Sequence, residues 1–171
     1  MAMAQKAPPA DVLQEGECWA LVDSGAGVDG IDAPSVVPNM KLYEARDPVH
    51  CITANGGEMI AKNVVKLRVA LDGQPIDIPF PDLPVTMPII SVRKHIHRGH
   101  NCRIREGGGY FRNKVTGAKS RLIEKDGVYC IRLKVLGQSR KSLVASVSGG
   151  ISPNEMNEAK GMCSGFPRPE P

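Results

Sequence analysis

An aspartate, a hydroxyl residue and a glycine follow an apolar run in Trp19-Ala20-Leu21-Val22-Asp23-Ser24-Gly25-Ala26, an order of residue types that can activate water. The apolar run reads as a buried strand that delivers the Asp23 carboxylate to its end. Ser24 can hydrogen-bond and orient that carboxylate or a symmetry-related copy of it. Gly25 lets the backbone turn with no side chain in the way of a substrate. Amide hydrolysis by this route uses two carboxylates side by side, whose like charges leave them sharing a proton. The chain has one Asp-Ser-Gly, no Asp-Thr-Gly and no internal repeat. A two-lobed single chain carrying both carboxylates is therefore not expected.

The elements that have to position Asp23 are short and extended. The stretch from His50 to Ile60 flanks Asn55-Gly56, a strong hairpin signal because both residues tolerate positive φ. A partly alternating strand follows over Val64 to Leu71, then a turn at Asp72-Gly73 and a short apolar run from Ile76 to Phe80. Met87 to Ile96 reads as an apolar strand running into a short helix, and Gly99 to Ile104 restarts a strand. The 18 glycines and 14 prolines lie between short apolar runs, which favours many strands with tight turns over a helical bundle. Aromatic residues make up only 4% of the chain, so Leu, Ile and Val must carry the burial. The expected class is mainly β.

The order Val-Asp-Ser-Gly-Ala (22–26), Ala-Asn-Gly-Gly (54–57), Pro-Ile-Ile-Ser-Val (88–92), Gly-His-Asn-Cys-Arg-Ile (99–104) and Asp-Gly-Val-Tyr-Cys-Ile (126–131) resembles the protease region of Copia-type retrotransposon polyproteins. The likeness covers roughly residues 17 to 135. It implies a retropepsin-like closed β-barrel with a flap hairpin and one short helix, acting as a homodimeric aspartic endopeptidase. By the same resemblance Asp23, Ser24 and Gly25 are catalytic, while Ala26, Asp29, Asn55, Gly56 and Gly57 line the substrate cleft or its flap. Ile89-Ile90-Ser91 matches the Leu-Leu-Ser common in the family. Gly27 departs from the pattern, standing where the family usually carries Ser, Asp or Glu. The substrate implied is the element's own polyprotein. No integrase or reverse-transcriptase sequence continues the chain, so it reads as a detached piece of such a polyprotein.

With 171 residues there is room for one domain with tails. The expected division is an N-terminal tail over 1–12, a protease domain over 13–136 whose part from about 103 leads toward a pre-integrase-like segment, and a linker or disordered tail over 137–171. The net charge of +4 is concentrated in Arg93 to Arg105 and Arg112 to Lys141. With only Tyr110, Phe111 and Tyr129 near those charges, base stacking has little support, and the basic residues read as a solvated face. Nucleic acid is therefore not expected as a partner. No stretch approaches the ~18 apolar residues of a membrane span, and the N-terminus has no apolar core of a signal peptide. Five scattered cysteines argue for a reducing compartment, so the cytoplasm is the expected location.

Two rival constellations remain. His95, His97, His100 and Cys102 lie within eight residues and are zinc-ligand types, which gives the alternative of a small zinc-binding β domain. Their spacing matches no zinc-finger pair, and the reading preferred for them is exposed residues near a helix end, with no metal or other cofactor. His50 and Cys51 are adjacent and so face opposite sides of a strand, which prevents a direct thiol–imidazole pair. Asp29 and Asp32 follow the Asp23 loop as turn or surface charges, Asp29 doubling as a cleft candidate. A catalytically inactive retropepsin-like module, kept for dimerisation or peptide binding, is the other alternative; Gly27 motivates it.

Overall fold

The computed structural model describes residue 9 and residues 11–140; the part of the expected 137–171 tail from 141 on and most of the N-terminal tail lie outside them. Short apolar runs punctuated by Gly and Pro become nine strands and two short helices among these residues, so the chain is mainly β. In chain order they are β1 (Glu17–Asp23), α1 (Ala33–Val36), β2 (Leu42–Ile52), β3 (Glu58–Leu71), β4 (Gln74–Pro81), β5 (Ile89–Ser91), α2 (Val92–His97), β6 (His100–Arg105), β7 (Gly108–Asn113), β8 (Lys119–Lys125) and β9 (Val128–Gln138).

The strands join in the order β2-β3-β9-β8-β7-β6. Off this path, β1 pairs antiparallel with β9 and parallel with β5, and β4 pairs antiparallel with β3. β9 therefore sits at the centre, bonded to β1, β3 and β8. The last part of the expected 13–136 domain supplies this middle strand, which runs to Gln138, two residues past the expected boundary of 136. The sheet is open: β2 and β6 end the order and do not pair, where a closed barrel was expected. The reason is the meander β6-β7-β8, which extends the sheet outward from β9 instead of turning back toward β2. Arg103 and Arg105 on the β6 edge hinder further strand addition.

Burial follows the period of two. On β3, Val65, Leu67, Val69 and Leu71 point inward and are at most 1% exposed, against Ile78 and Phe80 of β4 and Ile131 and Leu133 of β9. β4 carries Pro75, Pro79 and Pro81, tolerable because its other edge has no neighbour that needs their missing N–H groups. Phe80 and Phe111 are the largest fully buried side chains, so aliphatic residues do carry most of the core.

Asp72 fastens the turn between β3 and β4 to the centre of the sheet. It sits at φ +46° beside Gly73 at +82°. Its Oδ2 accepts from the Arg121 backbone N–H and Nε at 2.8 Å each, its Oδ1 from Arg121 Nη2 at 2.9 Å and from Arg132 Nε at 3.2 Å, and Arg132 Nη2 closes the pair. Arg132 is 3% exposed. Burial alone would raise the Asp72 carboxyl, but hydrogen bonds from Arg121 and Arg132 outweigh it and hold it below its ordinary 3.8. Asp72→Asn keeps the shape and the tolerance of positive φ but removes the charge bonded to the buried Arg132 guanidinium, leaving it only Glu17 at 3.6 Å. Urea denaturation near neutral pH is expected to show a loss of about 3–5 kcal/mol; a loss below about 1 kcal/mol would mean that the carboxylate does not anchor this turn.

Candidate active site

β1 ends at Asp23 because the apolar alternation of Ala20 and Val22 stops there and Ser24-Gly25 bends the chain away. The carboxylate is partly exposed, and it is fixed by the loop that follows. Asp23 Oδ1 accepts from the backbone N–H of Gly25 at 2.7 Å and of Ala26 at 3.2 Å. Both amide donors fall on one oxygen, and no hydrogen bond to the other is found among the described residues. A Cβ at position 25 would lie 3.3 Å from Asp23 Oδ1, tighter than ordinary contact, so the glycine keeps the carboxylate uncrowded. Ser24 is exposed, and within the chain the backbone amides of Gly25 and Ala26 are what hold Asp23.

The loop is braced from β5 and α2. Parallel pairing sets Asp23 beside Ser91, with Val22 beside Ile90. Ser91 Oγ donates to the Ala26 carbonyl at 2.6 Å and accepts from the Lys94 N–H at 3.2 Å, so one buried hydroxyl ties the loop and caps α2. The Ser91 N–H donates to Asp29 Oδ1 at 2.8 Å, and Arg98 Nη2 pairs with Asp29 Oδ2. Asp29 is 2% exposed. Its expected place in a substrate cleft is thus corrected: both carboxylate oxygens face inward and hold the loop to α2. Asp32 caps α1, accepting from the Ser35 N–H at 3.4 Å, and Asp82 Oδ1 accepts from the Ala33 N–H at 3.0 Å.

Ser91, Arg98 and Asp82 had not been read from the sequence as site residues. Ser91 did carry a signal, a serine between an apolar run and a helix, which is the N-cap pattern. Arg98 lay hidden in a basic stretch, since its partner is 69 positions earlier.

Asn55, Gly56 and Gly57 lie exposed at the tip of the β2–β3 hairpin. Only Gly56 has positive φ, +83°, so this is not the two-residue turn expected with both Asn55 and Gly56 left-handed. Thr53 sets the difference: its N–H and Oγ donate to the Gly57 carbonyl at 2.8 and 2.9 Å, and its carbonyl accepts from the Gly56 N–H at 2.9 Å, closing a five-residue loop. β2 has no fully buried residue, so the hairpin stands away from the core.

The histidines behave differently from the exposed residues expected. His95 is 1% exposed, its ring 4.1 Å from those of both His100 and Phe111. Burial, then the positive fields of His100 and Arg98, push it down to about 3. Among the described residues no group of three or more His, Cys, Asp or Glu is placed to hold a metal ion. Burial raises the Cys51 thiol, which keeps it protonated and unreactive at neutral pH. The basic residues Arg103, Arg112, Lys119 and Arg121 share one face of the β6-β7-β8 meander by register, with Lys119 Nζ 4.7 Å over the Tyr110 ring. No helix among the described residues is long and apolar enough to cross a membrane.

No family model matches the chain, and neither a curated protein nor a solved structure matches it.

Because the folded His95 binds its proton only near pH 3 while the unfolded residue does so near 6.5, the unfolded chain holds the extra proton between those values. Stability conferred by neutral His95 is complete above about pH 6.5 and is lost as pH falls toward 3. His95→Phe removes this contribution. Chemical denaturation at several pH values is expected to show a flatter acid limb for the variant, by a few kcal/mol; parallel curves would show that His95 does not titrate as its burial dictates.

Proposed function

We propose that the chain is an aspartic endopeptidase that works as a homodimer, of the type found in the protease region of Copia retrotransposon polyproteins. The observation that carries this reading is the Asp23 loop: a partly exposed carboxylate at a strand end, one oxygen held by the amides of Gly25 and Ala26, on a loop bolted from beneath by Ser91, Asp29 and Arg98. A surface turn has no need for a buried ion pair to fix a free carboxylate. Such rigidity is what a group needs if it must meet a reacting atom within a few tenths of an ångström.

In the dimer, Asp23 and its copy share a proton and hold a water between them. The ionised carboxylate takes a proton from the water as its oxygen attacks the peptide carbonyl carbon; the protonated one donates to the carbonyl oxygen. Collapse of the tetrahedral diol breaks the C–N bond, with the proton passing to the leaving amine. No covalent enzyme intermediate forms. An extended peptide aligns by backbone hydrogen bonds along the cleft, and the β2–β3 hairpin, with Asn55, Gly56 and Gly57 at its tip, folds over it and excludes water. The retropepsin-like barrel of this reading would be completed by contacts between subunits.

The test is cleavage of a mixed peptide library by the full chain, at a concentration where sedimentation shows a dimer, from about pH 4 to pH 7. Cleavage with a maximum below neutrality is expected, abolished by a statine-type inhibitor and reduced at least about 10³-fold by Asp23→Asn with the fold intact. Turnover retained in Asp23→Asn would defeat the assignment, and a verified dimer without turnover would favour the inactive module.

Gly27 offers a separate check. A Cβ there meets nothing within 4 Å, so space does not require the glycine. Gly27→Ser is expected to leave the melting temperature within about 2 °C, within the usual range for an unencumbered surface change. Activity equal to or above that of the parent is expected; a large loss of either quantity would show that the bare backbone at 27 is needed.

A further inference from the structure

Pairing in the β6-β7-β8 meander gathers cations that the sequence spreads from 103 to 121. Arg103 lies opposite Tyr110, Tyr110 opposite Arg121 and Arg112 opposite Lys119, with Arg105 two residues along β6 from Arg103. The period of two puts all six side chains on one face. The other face carries Cys102, Phe111 and Ser120 and packs on α2, where the His95 ring lies 4.1 Å from that of Phe111. The cationic face is therefore the outward one, and Arg103, Arg105, Arg112 and Lys119 are exposed on it.

Little within the protein answers this charge. Arg121 is spent on Asp72, but Arg103, Arg105, Arg112 and Lys119 form no ion pair among the described residues. No position of the three strands on this face holds a carboxylate; Glu124 falls on the opposite side and accepts from the Gly107 N–H at 2.9 Å. Arg112 and Lys119 are like charges directly opposite each other, a pairing that is unfavourable until an anion lies between them. The positive field converges on Tyr110: a hydrogen bond from Arg103, then the charges of Arg103, Lys119 and Arg105, hold its phenol below the ordinary value. A face that serves only solubility mixes both signs, and this one does not.

We propose that this face binds single-stranded nucleic acid, with phosphates on Arg103, Arg105, Arg112 and Lys119 and a base on Tyr110. Positions on one face repeat every ~7 Å along a strand and every ~5 Å between strands, so these cations follow an extended chain of phosphates instead of gripping one anion. Arginine meets phosphate oxygens with paired N–H donors. Few aromatic residues accompany these charges in the sequence, but the register sets one at their centre. Tyr110 is partly exposed, Lys119 Nζ stands 4.7 Å over its ring, and Gly108, its neighbour on the same face of β7, has no side chain to cover it. A Cβ at 108 would come within 2.6 Å of the Leu122 carbonyl oxygen, so that position stays bare. An aromatic ring among cations on an open sheet face is the arrangement on which unstacked bases settle. A duplex keeps its base faces hidden and an acidic peptide has none, so Tyr110 selects the single strand. This surface shares no residue with the Asp23 loop or its brace and does not rest on the peptidase reading.

The experiment is fluorescence anisotropy of the full chain with a labelled oligouridylate of about 12 nucleotides, within the span of a single-strand site. Phosphate contacts by all four cations predict a slope of log K against log salt near about −3, so affinity is expected to fall about 50-fold between roughly 50 and 200 mM salt. Arg103→Gln combined with Arg112→Gln is expected to reduce that slope by about half. Tyr110→Leu is expected to weaken binding at least about fivefold at unchanged slope, while Tyr110→Phe, which keeps the ring, binds like the parent. Arg46→Gln combined with Lys62→Gln makes the same change of charge on the β2–β3 hairpin and is expected to stay within about twofold of the parent. Circular dichroism confirms the fold of each variant; should Tyr110→Leu not fold, the comparison with duplex and polyglutamate decides. No binding at about 50 mM salt, or binding of a duplex or polyglutamate as tight as that of the single strand, would overturn the proposal. So would parental affinity in a folded Tyr110→Leu, or equal losses in the two double variants.

Discussion

The carboxylate of Asp72 is the constraint on which the rest of this fold hangs. Arg132 lies within the central strand β9, where an unpaired guanidinium would be strongly destabilising. Asp72 neutralises it from the turn between β3 and β4 and takes Arg121 from β8 as well, so one anion joins three consecutive neighbours of the sheet. Arg132 extends the network outward, its Nη1 donating to the Val12 carbonyl at 3.3 Å and lying 3.6 Å from Glu17, which in turn accepts from the Gln14 N–H. The N-terminal approach to β1 is thereby set, and with it the strand that carries Asp23. Hydrophobic contacts in the same region are non-directional. The charged network is what selects the register.

A second buried carboxylate, Asp29, repeats the device on a smaller scale at the loop. Asp29 and Asp72 are both inward-facing and saturated with donors, whereas Asp23 receives two amides on one oxygen and keeps the other free. The three aspartates thus divide by role. Two hold the backbone because their charge is satisfied inside the protein; the third can do chemistry because its charge is only half satisfied there. Hydrogen-bond accounting separates them, where residue type alone could not.

How much of this was legible in the sequence depends on the range of the interaction. The strands announced themselves through period-two burial and Gly or Pro punctuation, and the short helix after β5 followed from the apolar run that leads into it. The Asp23 loop was legible for the same reason, its donors being two and three residues away. Asp29 was misread because its partners lie 62 and 69 positions ahead, and nothing in a turn sequence shows which way a carboxylate faces. His95 was misread as exposed because the basic, polar residues around it hide that it shares the inward side of the six-residue helix with Val92. The central place of β9 was not legible because it depends on pairing with β1 and β3, more than sixty residues distant in both cases.

These interactions also set the order in which acid undoes the fold. The neutral state of His95 loses its stabilising value as pH falls from 6.5 toward 3. Asp72, held below 3.8, keeps its charge and its grip on Arg132 until lower pH. Acid therefore weakens the packing around α2 before it loosens the centre of the sheet. Since α2 carries Arg98, and Arg98 holds Asp29, the first part of the fold to soften on acidification is the brace beneath the Asp23 loop.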